Sequence, residues 1–240
     1  MTGTRRWAAL LSVLATGAIL ATFWMIFFYA PTEREMGVVQ RIYYVHVPSA
    51  WVAFLAFGIV ALCSAGYLWL RDDRLDAIAV SAAELGTVFT TIVLLTGPLW
   101  GRIAWGAWWV WEPRLTLTLL LWLMYVGYFV LRGATENPER GKRFAAVLGI
   151  VGAVDIPLIH MSVNWFRSQH PQAVVARPDG PRAAPEIVWT LLTGFLAFTL
   201  LFFALLLFRY ALERLRARAE LLRVRAELDR PVSPVQGVLR

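Results

Sequence analysis

The sequence predicts an all-α polytopic membrane protein with six transmembrane helices, both termini cytoplasmic, and a tryptophan-rich shelf on the outer face. Three observations lead there. Of the 240 residues, 59% are hydrophobic and only 16% charged, far from the balance of a soluble domain. Six apolar runs approach or exceed the roughly 20 helical residues that a bilayer requires. The basic residues divide unevenly between the connections, sixteen on the side of the termini against seven on the other. That bias places the richer side in the cytoplasm. It also accounts for the net charge of +7 without nucleic acid, which is not an expected partner; contact with anionic membrane lipid is.

The first run, Trp7–Ala30, is too long for a signal-peptide core and lacks a convincing cleavage site, so it reads as a helix. An outward loop, Pro31–Ser49, leads to the second run, Ala50–Leu70. This run holds Cys63, the only cysteine, for which a packing role is expected because one thiol forms no internal disulfide. Arg71–Asp76 is a short inward connector. The third run, Ala77–Trp100, contains Glu84. The fourth, Leu115–Leu131, is short, and its helix should begin at Pro113, because proline suits a first turn and Glu112 complements the helix dipole. After the inward connector Arg132–Arg143 comes the fifth run, Phe144–Met161, also short, with Asp155 inside it and His160 near its outer end.

The third outward loop, Ser162–Glu186, carries Pro171, Pro178, Pro181 and Pro185 and should be irregular. The sixth run, Ile187–Phe208, is followed by Leu212, Leu215, Ala219, Leu222 and Ala226 at helical spacing. Arg216–Glu220 and Arg223–Glu227 form i, i+4 pairs there, so the last helix should continue into the cytoplasm. The expected organisation is a six-helix membrane domain over residues 1–210 and a cytoplasmic C-terminal helical tail over 211–240. No internal repeat suggests a transporter built from inverted halves.

The second outward segment, Trp100–Thr116, is the most informative stretch. It contains Trp100, Trp105, Trp108, Trp109 and Trp111, interleaved with Gly101, Gly106, Arg102, Glu112 and Arg114. Amphipathic indoles suit either a membrane-interface belt or a platform for a flat ligand. Small residues allow close approach of a planar group, and arginine pairs with carboxylates. If residues 105–111 are helical, Trp105, Trp108 and Trp109 share a face.

His46 precedes the second run and His170 follows the fifth, so both face the compartment of the tryptophan segment. Imidazole can ligate haem iron, and two imidazoles can take opposite axial positions. A lone histidine at such a place is otherwise a polar anchor, and that reading is preferred for His160. Glu84 and Asp155 fall within spans, where a carboxylate is costly unless paired or wetted. Neither has an evident cationic partner in the sequence.

Trp-Gly-Ala-Trp-Trp-Val-Trp-Glu-Pro-Arg-Leu-Thr resembles the tryptophan-rich WWD signature of the haem-handling membrane proteins of cytochrome c biogenesis. Six spans, with one outer histidine before and one after the signature, are similar to the CcmC family, over essentially the whole chain to Phe208. The resemblance implies that haem b is held at the outer, periplasmic face of the bacterial inner membrane and delivered to the haem chaperone CcmE. It implies further partners in the CcmA/CcmB ABC module and CcmD, and transport in place of enzymatic turnover. His46 and His170 become the axial ligands, with Trp100, Trp105, Trp108, Trp109, Trp111 and Glu112 forming the platform. For the haem propionates, Arg114 is the leading partner, with Arg102 and Arg167 behind it. The family signature usually has aspartate at the Glu112 position and no following proline; Glu-Pro leans toward related haem lyases. Two other readings therefore accompany this one: a haem lyase, which typically has more spans and histidines, and a b-type haem electron carrier, which expects ligands within spans.

Overall fold

The computed structural model describes residues 2–166, 168–171, 175 and 180–229. Six helices in it are long and apolar enough to cross a membrane: α1 (Thr2–Trp24), α2 (Tyr43–Leu70), α3 (Asp73–Trp105), α4 (Pro113–Ala134), α5 (Pro138–Trp165) and α6 (Pro185–Leu228). A π-turn, Met25–Tyr29, prolongs α1, and a 3-10 turn, Val38–Ile42, leads into α2. Among the described residues there is no strand, only an isolated Glu33–Gly37 bridge.

The helices outrun the apolar segments that announce them, because helical hydrogen bonding continues into polar residues and stops at caps. The Asp72 carboxylate accepts from the Arg74 amide at 2.8 Å and starts α3 before Ala77. Asn137 accepts from the Glu139 and Arg140 amides at 3.0 and 3.2 Å. That cap starts α5 at Pro138, so a run that looked short becomes a helix of 28 residues. Pro113 does occupy the first turn of α4, with Glu112 as the N-cap residue. The largest displacement is in α2, which starts at Tyr43 and so places His46 within the helix instead of a preceding loop. α6 runs unbroken to Leu228. On it Arg223 pairs with Glu227, but Arg216 turns back to Glu213 at 3.7 Å in place of the expected Glu220.

The core is built around α2. Val52, Ala56, Phe57 and Val60 are fully buried against Ala82 and Ala83 of α3, Tyr125 of α4 and Phe202 of α6. Phe57 stacks on Tyr125 with ring centroids 3.7 Å apart. Glycine makes that approach possible: a Cβ at Gly86 would lie 2.5 Å from the Phe57 ring, and one at Gly149 would lie 2.9 Å from Val60. In lipid, where hydrophobicity does not distinguish helix from tail, such close backbone packing and interhelical hydrogen bonds hold a bundle together. Cys63 packs against this core, as expected of an isolated thiol.

Two ends of the bundle differ in chemistry. At one, charged side chains cross-link the helices. Arg132 of α4 grips Asp76 of α3 with both nitrogens, one at 2.6 Å, and Lys142 bridges Asp73 and Glu139 at 2.8 and 2.6 Å. Glu84 of α3, without an evident partner in the sequence, is held by two nitrogens of Arg209 of α6, which also reaches Glu213 at 3.2 Å. Asp155 remains buried with Oδ2 unpartnered. At the other end a small cluster of Ile26, Ala30, Tyr44 and Leu191 ties the end of α1 to the starts of α2 and α6. Gly194 lets α6 close on that corner, since a Cβ there would stand 3.2 Å from Pro48. The tryptophan segment lies at this second end.

Candidate functional site

At the tryptophan end, the start of α2, the end of α3, the α3–α4 connection and the chain after α5 converge. His46 enters from α2, and its Nδ1 lies 2.8 Å from Thr96 Oγ1 on α3. The Thr96 hydroxyl also lies 2.7 Å from the Ile92 carbonyl and 3.4 Å from the Val93 carbonyl, which can only accept, and with its single hydrogen given to either it presents a lone pair to the imidazole. In that arrangement His46 carries its proton on Nδ1 and keeps a lone pair on Nε2. His170 reaches the same tautomer by another route: its Nδ1 is 3.0 Å from the Pro171 carbonyl, which can only accept. Both rings thus offer Nε2, the arrangement in which a second hydrogen bond orients a metal-binding imidazole.

Glu112 fixes the segment that carries His170. Its Oε2 accepts from the Ser168 hydroxyl and from the Gln169 amide, both at 2.8 Å, and Ser168 Oγ accepts from the His170 amide at 3.1 Å. The carboxylate is buried, and its other oxygen has no partner. Glu112 was expected as part of the ligand platform; the observed contacts make it a clasp between two connections.

Arg114, in the first turn of α4, interacts electrostatically with His46 and with His170, and the two histidines interact with each other. Among the described residues no carboxylate forms an ion pair with Arg114, and Glu112 is the charge that acts on it. Burial, and then the Arg114 charge, push the His170 imidazole down to about 4, against a smaller opposing effect of the Pro171 carbonyl. A depressed value means that the fold favours the neutral ring, which keeps a lone pair as pH falls and loses it only near that value. Haem retention should therefore change less than about twofold between pH 7.5 and 5.5. A histidine titrating near 6.5 would be about 90% protonated at pH 5.5 and would lose binding roughly tenfold. Spectrophotometric haem titration across that range decides between the two.

The tryptophans do not form one helical face. α3 ends at Trp105, where Gly106 takes φ +75°, and residues 106–112 are non-helical. The expected alignment of Trp105, Trp108 and Trp109 is therefore replaced by two edge-to-face pairs. Trp100 and Trp105 meet at 5.5 Å on the last turns of α3, and Trp109 and Trp111 meet at 5.7 Å in the connection. Gly101 has its own neighbour: Trp105 folds over it, 3.0 Å from where a Cβ would sit, so that glycine is not open to a ligand. Trp100 donates to Gln40 at 3.3 Å. Trp108 and Trp111 are the exposed rings, 58% and 77% accessible, the first of them outside either pair. Trp109 has a buried indole N–H with no acceptor.

Arg102 donates to the Gly106 carbonyl and closes the end of α3. Arg167 lies outside the described residues. His160 is exposed on α5, in line with an anchoring residue. Thr96, Ser168 and Gln169 gave no signal in the sequence, since a hydroxyl or amide at such positions is unremarkable without its spatial partner.

Two imidazoles with free Nε2 atoms, a half-buried arginine without an ion pair among the described residues, a buried N–H without acceptor and exposed indoles fit haem: iron ligands, carboxylate partners and apolar faces. Comparison with known proteins agrees. Residues 1–225 match the CcmC family model, described as Heme exporter protein C. The chain is 42% identical to Heme exporter protein C of Bradyrhizobium diazoefficiens over 176 residues, covering 73% of this chain and 67% of that protein. It is 37% identical to the Paracoccus denitrificans protein of the same name over 182 residues, 75% of each chain. It is 35% identical to the Escherichia coli K12 protein, also so named, over 194 residues, 79% of this chain and 76% of that one.

Proposed function

Because the chain belongs to the Heme exporter protein C family, multi-pass proteins of the bacterial inner membrane that handle haem in cytochrome c maturation, we propose that it holds haem b as cargo at the periplasmic face and delivers it to the chaperone CcmE. The observation that carries this reading is the pair of histidines, each with Nδ1 engaged and Nε2 free. His46 and His170 act as the axial ligands. Arg114, close to both and without a carboxylate partner, takes a haem propionate, with Arg102 and Arg167 as secondary partners. The Trp109 N–H, buried without an acceptor, supplies a neutral donor.

In this reading the protein binds, orients and releases, and performs no turnover chemistry. Reactive vinyl groups belong to the haem, and the protein's part is placement. Trp108 and Trp111, the exposed indoles, form the face toward the acceptor, whereas Trp100, Trp105 and Trp109 pack against the protein. The tryptophan end faces the periplasm, so the cross-linked charged end and the extended α6 lie in the cytoplasm. The CcmA/CcmB ABC module and CcmD act with it in releasing the loaded chaperone.

Covalent haem on co-expressed CcmE, measured by haem stain and normalised to haem bound on this protein, tests the proposal. Replacing Trp108 or Trp111 singly with Ala should leave most of the bound haem and lower transfer per bound haem at least several-fold, since each indole contributes only ~0.5–1.5 kcal/mol beyond buried area. Bound haem and loading of CcmE falling in parallel, so that transfer per bound haem stays normal, would overturn the assignment of this face. Failure of the unaltered protein to load CcmE would overturn delivery itself.

A further inference from the structure

Threonines in the membrane helices of this protein routinely donate to the carbonyl one turn back: Thr87, Thr90, Thr91 and Thr118 all do so at 2.8 Å. Thr96 follows the same habit toward Ile92, but its oxygen also meets a titratable ring. Side-chain donors reach threonine oxygens elsewhere, Trp51 to Thr199 at 3.1 Å and Trp122 to Thr91 at 2.9 Å. Indole has one N–H and no choice of tautomer, so those bonds only anchor the ring. Imidazole has two nitrogens, and the acceptor it meets decides which one bears the proton.

We propose that Thr96 is a positioning residue for haem ligation, holding His46 in the Nδ1–H tautomer with Nε2 directed to iron; this rests on the reading of His46 as an axial ligand. Three features of the geometry support it. The donation to Ile92 uses the only hydroxyl hydrogen, so the Thr96 oxygen presents lone pairs to the ring. Thr96 sits on α3 and His46 on α2, so the bond fixes the ring to a second, core-packed helix. The ring also lies alongside the next residue of α3, its Cε1 3.5 Å from where a Cβ on Gly97 would sit. Without the acceptor, Nδ1–H has no partner in a half-buried site, and the ring can shift its proton to Nε2, where it blocks ligation. Accepting from Nδ1–H also raises the basicity of Nε2, which favours ferric over ferrous iron.

The test uses the full-length protein in detergent, titrated with hemin, comparing wild type with Thr96→Val, Thr96→Ala, Thr96→Ser and His46→Gly. Valine keeps the shape and every backbone hydrogen bond of the helix, losing only those of the hydroxyl, and alanine guards against a packing defect of the added methyl. Both should weaken hemin binding about tenfold, the lower end for loss of a partner behind a metal ligand. Both should also raise the reduction potential and move part of the absorbance from six-coordinate low-spin toward high-spin. Serine, which retains the acceptor, should match wild type. Wild-type affinity and potential in Val and Ala would overturn the proposal, as would a serine variant as impaired as valine. His46→Gly separates the two levels. If it loses the low-spin spectrum while Thr96→Val keeps it, only the role of Thr96 falls. If His46→Gly keeps the wild-type spectrum, the ligand reading falls and the role of Thr96 with it.

Discussion

Replacing His46 or His170 with Gly is expected to strip haem from the purified protein, and free imidazole should restore much of it. Each ring is held through Nδ1, at 2.8 Å by Thr96 and at 3.0 Å by the Pro171 carbonyl, leaving Nε2 as the only lone pair able to bind iron. Glycine removes the ligand and leaves a cavity of imidazole shape, which the free base can enter. The low-spin absorbance bands report the outcome directly. Full haem retention with an unaltered spectrum in either variant would show that the ring is not a ligand. The two variants should behave alike, because axial coordination needs both sides of the iron, although their anchors differ. His46 is seated in a helix and His170 in an irregular connection.

That difference leads to the second large effect. Glu112→Ala should lower haem affinity nearly as far as His170→Gly, without touching a ligand. The Glu112 carboxylate holds Ser168 and Gln169 at 2.8 Å each, immediately before His170, and does so from a buried position. Hydrogen bonds to a charged group contribute about 1.5–3 kcal/mol. Loss of one such contribution corresponds to roughly 10–100-fold in occupancy of the loop conformation that presents His170. Glu112→Gln keeps an acceptor oxygen without the charge and should fall between Ala and wild type. Glu112→Asp shortens the reach by one methylene and should also weaken the clasp. Haem titration of the three variants checks the order; an alanine variant with wild-type affinity would show that residues 168–170 are held by other contacts.

Much of this protein was legible in the sequence, for a physical reason. Transfer of each side chain into hydrocarbon is nearly a property of that side chain alone, so apolar runs announce spans whatever the helices pack against. Pro113 could be assigned to the first turn of α4 because proline lacks the amide that a first turn leaves unused. The continuation of α6 to Leu228 could be read because helical periodicity persists beyond the apolar run. Helix ends were less legible: α2 begins at Tyr43, ahead of an internal Pro48 that reads as a break, and α5 at Pro138, in a polar stretch where hydropathy gives no sign and hydrogen bonding continues.

Tertiary structure alone decided the pairings. Glu84 looked isolated until α3 met α6, which brings Arg209 to it across 125 positions of chain. His46 and Thr96 are 50 apart, and Glu112 and Ser168 are 56 apart. Which polar group meets which depends on helix rotation and depth, and these follow from close contacts such as Phe57 against Gly86 and Val60 against Gly149. The tryptophan segment shows the same limit locally. Helical spacing allowed one shared face, but Gly106 at φ +75° ends α3 and turns the five indoles into two pairs and one free ring. Composition determined that this end of the protein would be rich in indole and imidazole. Packing determined that both imidazoles would meet an oxygen through Nδ1 and leave Nε2 open.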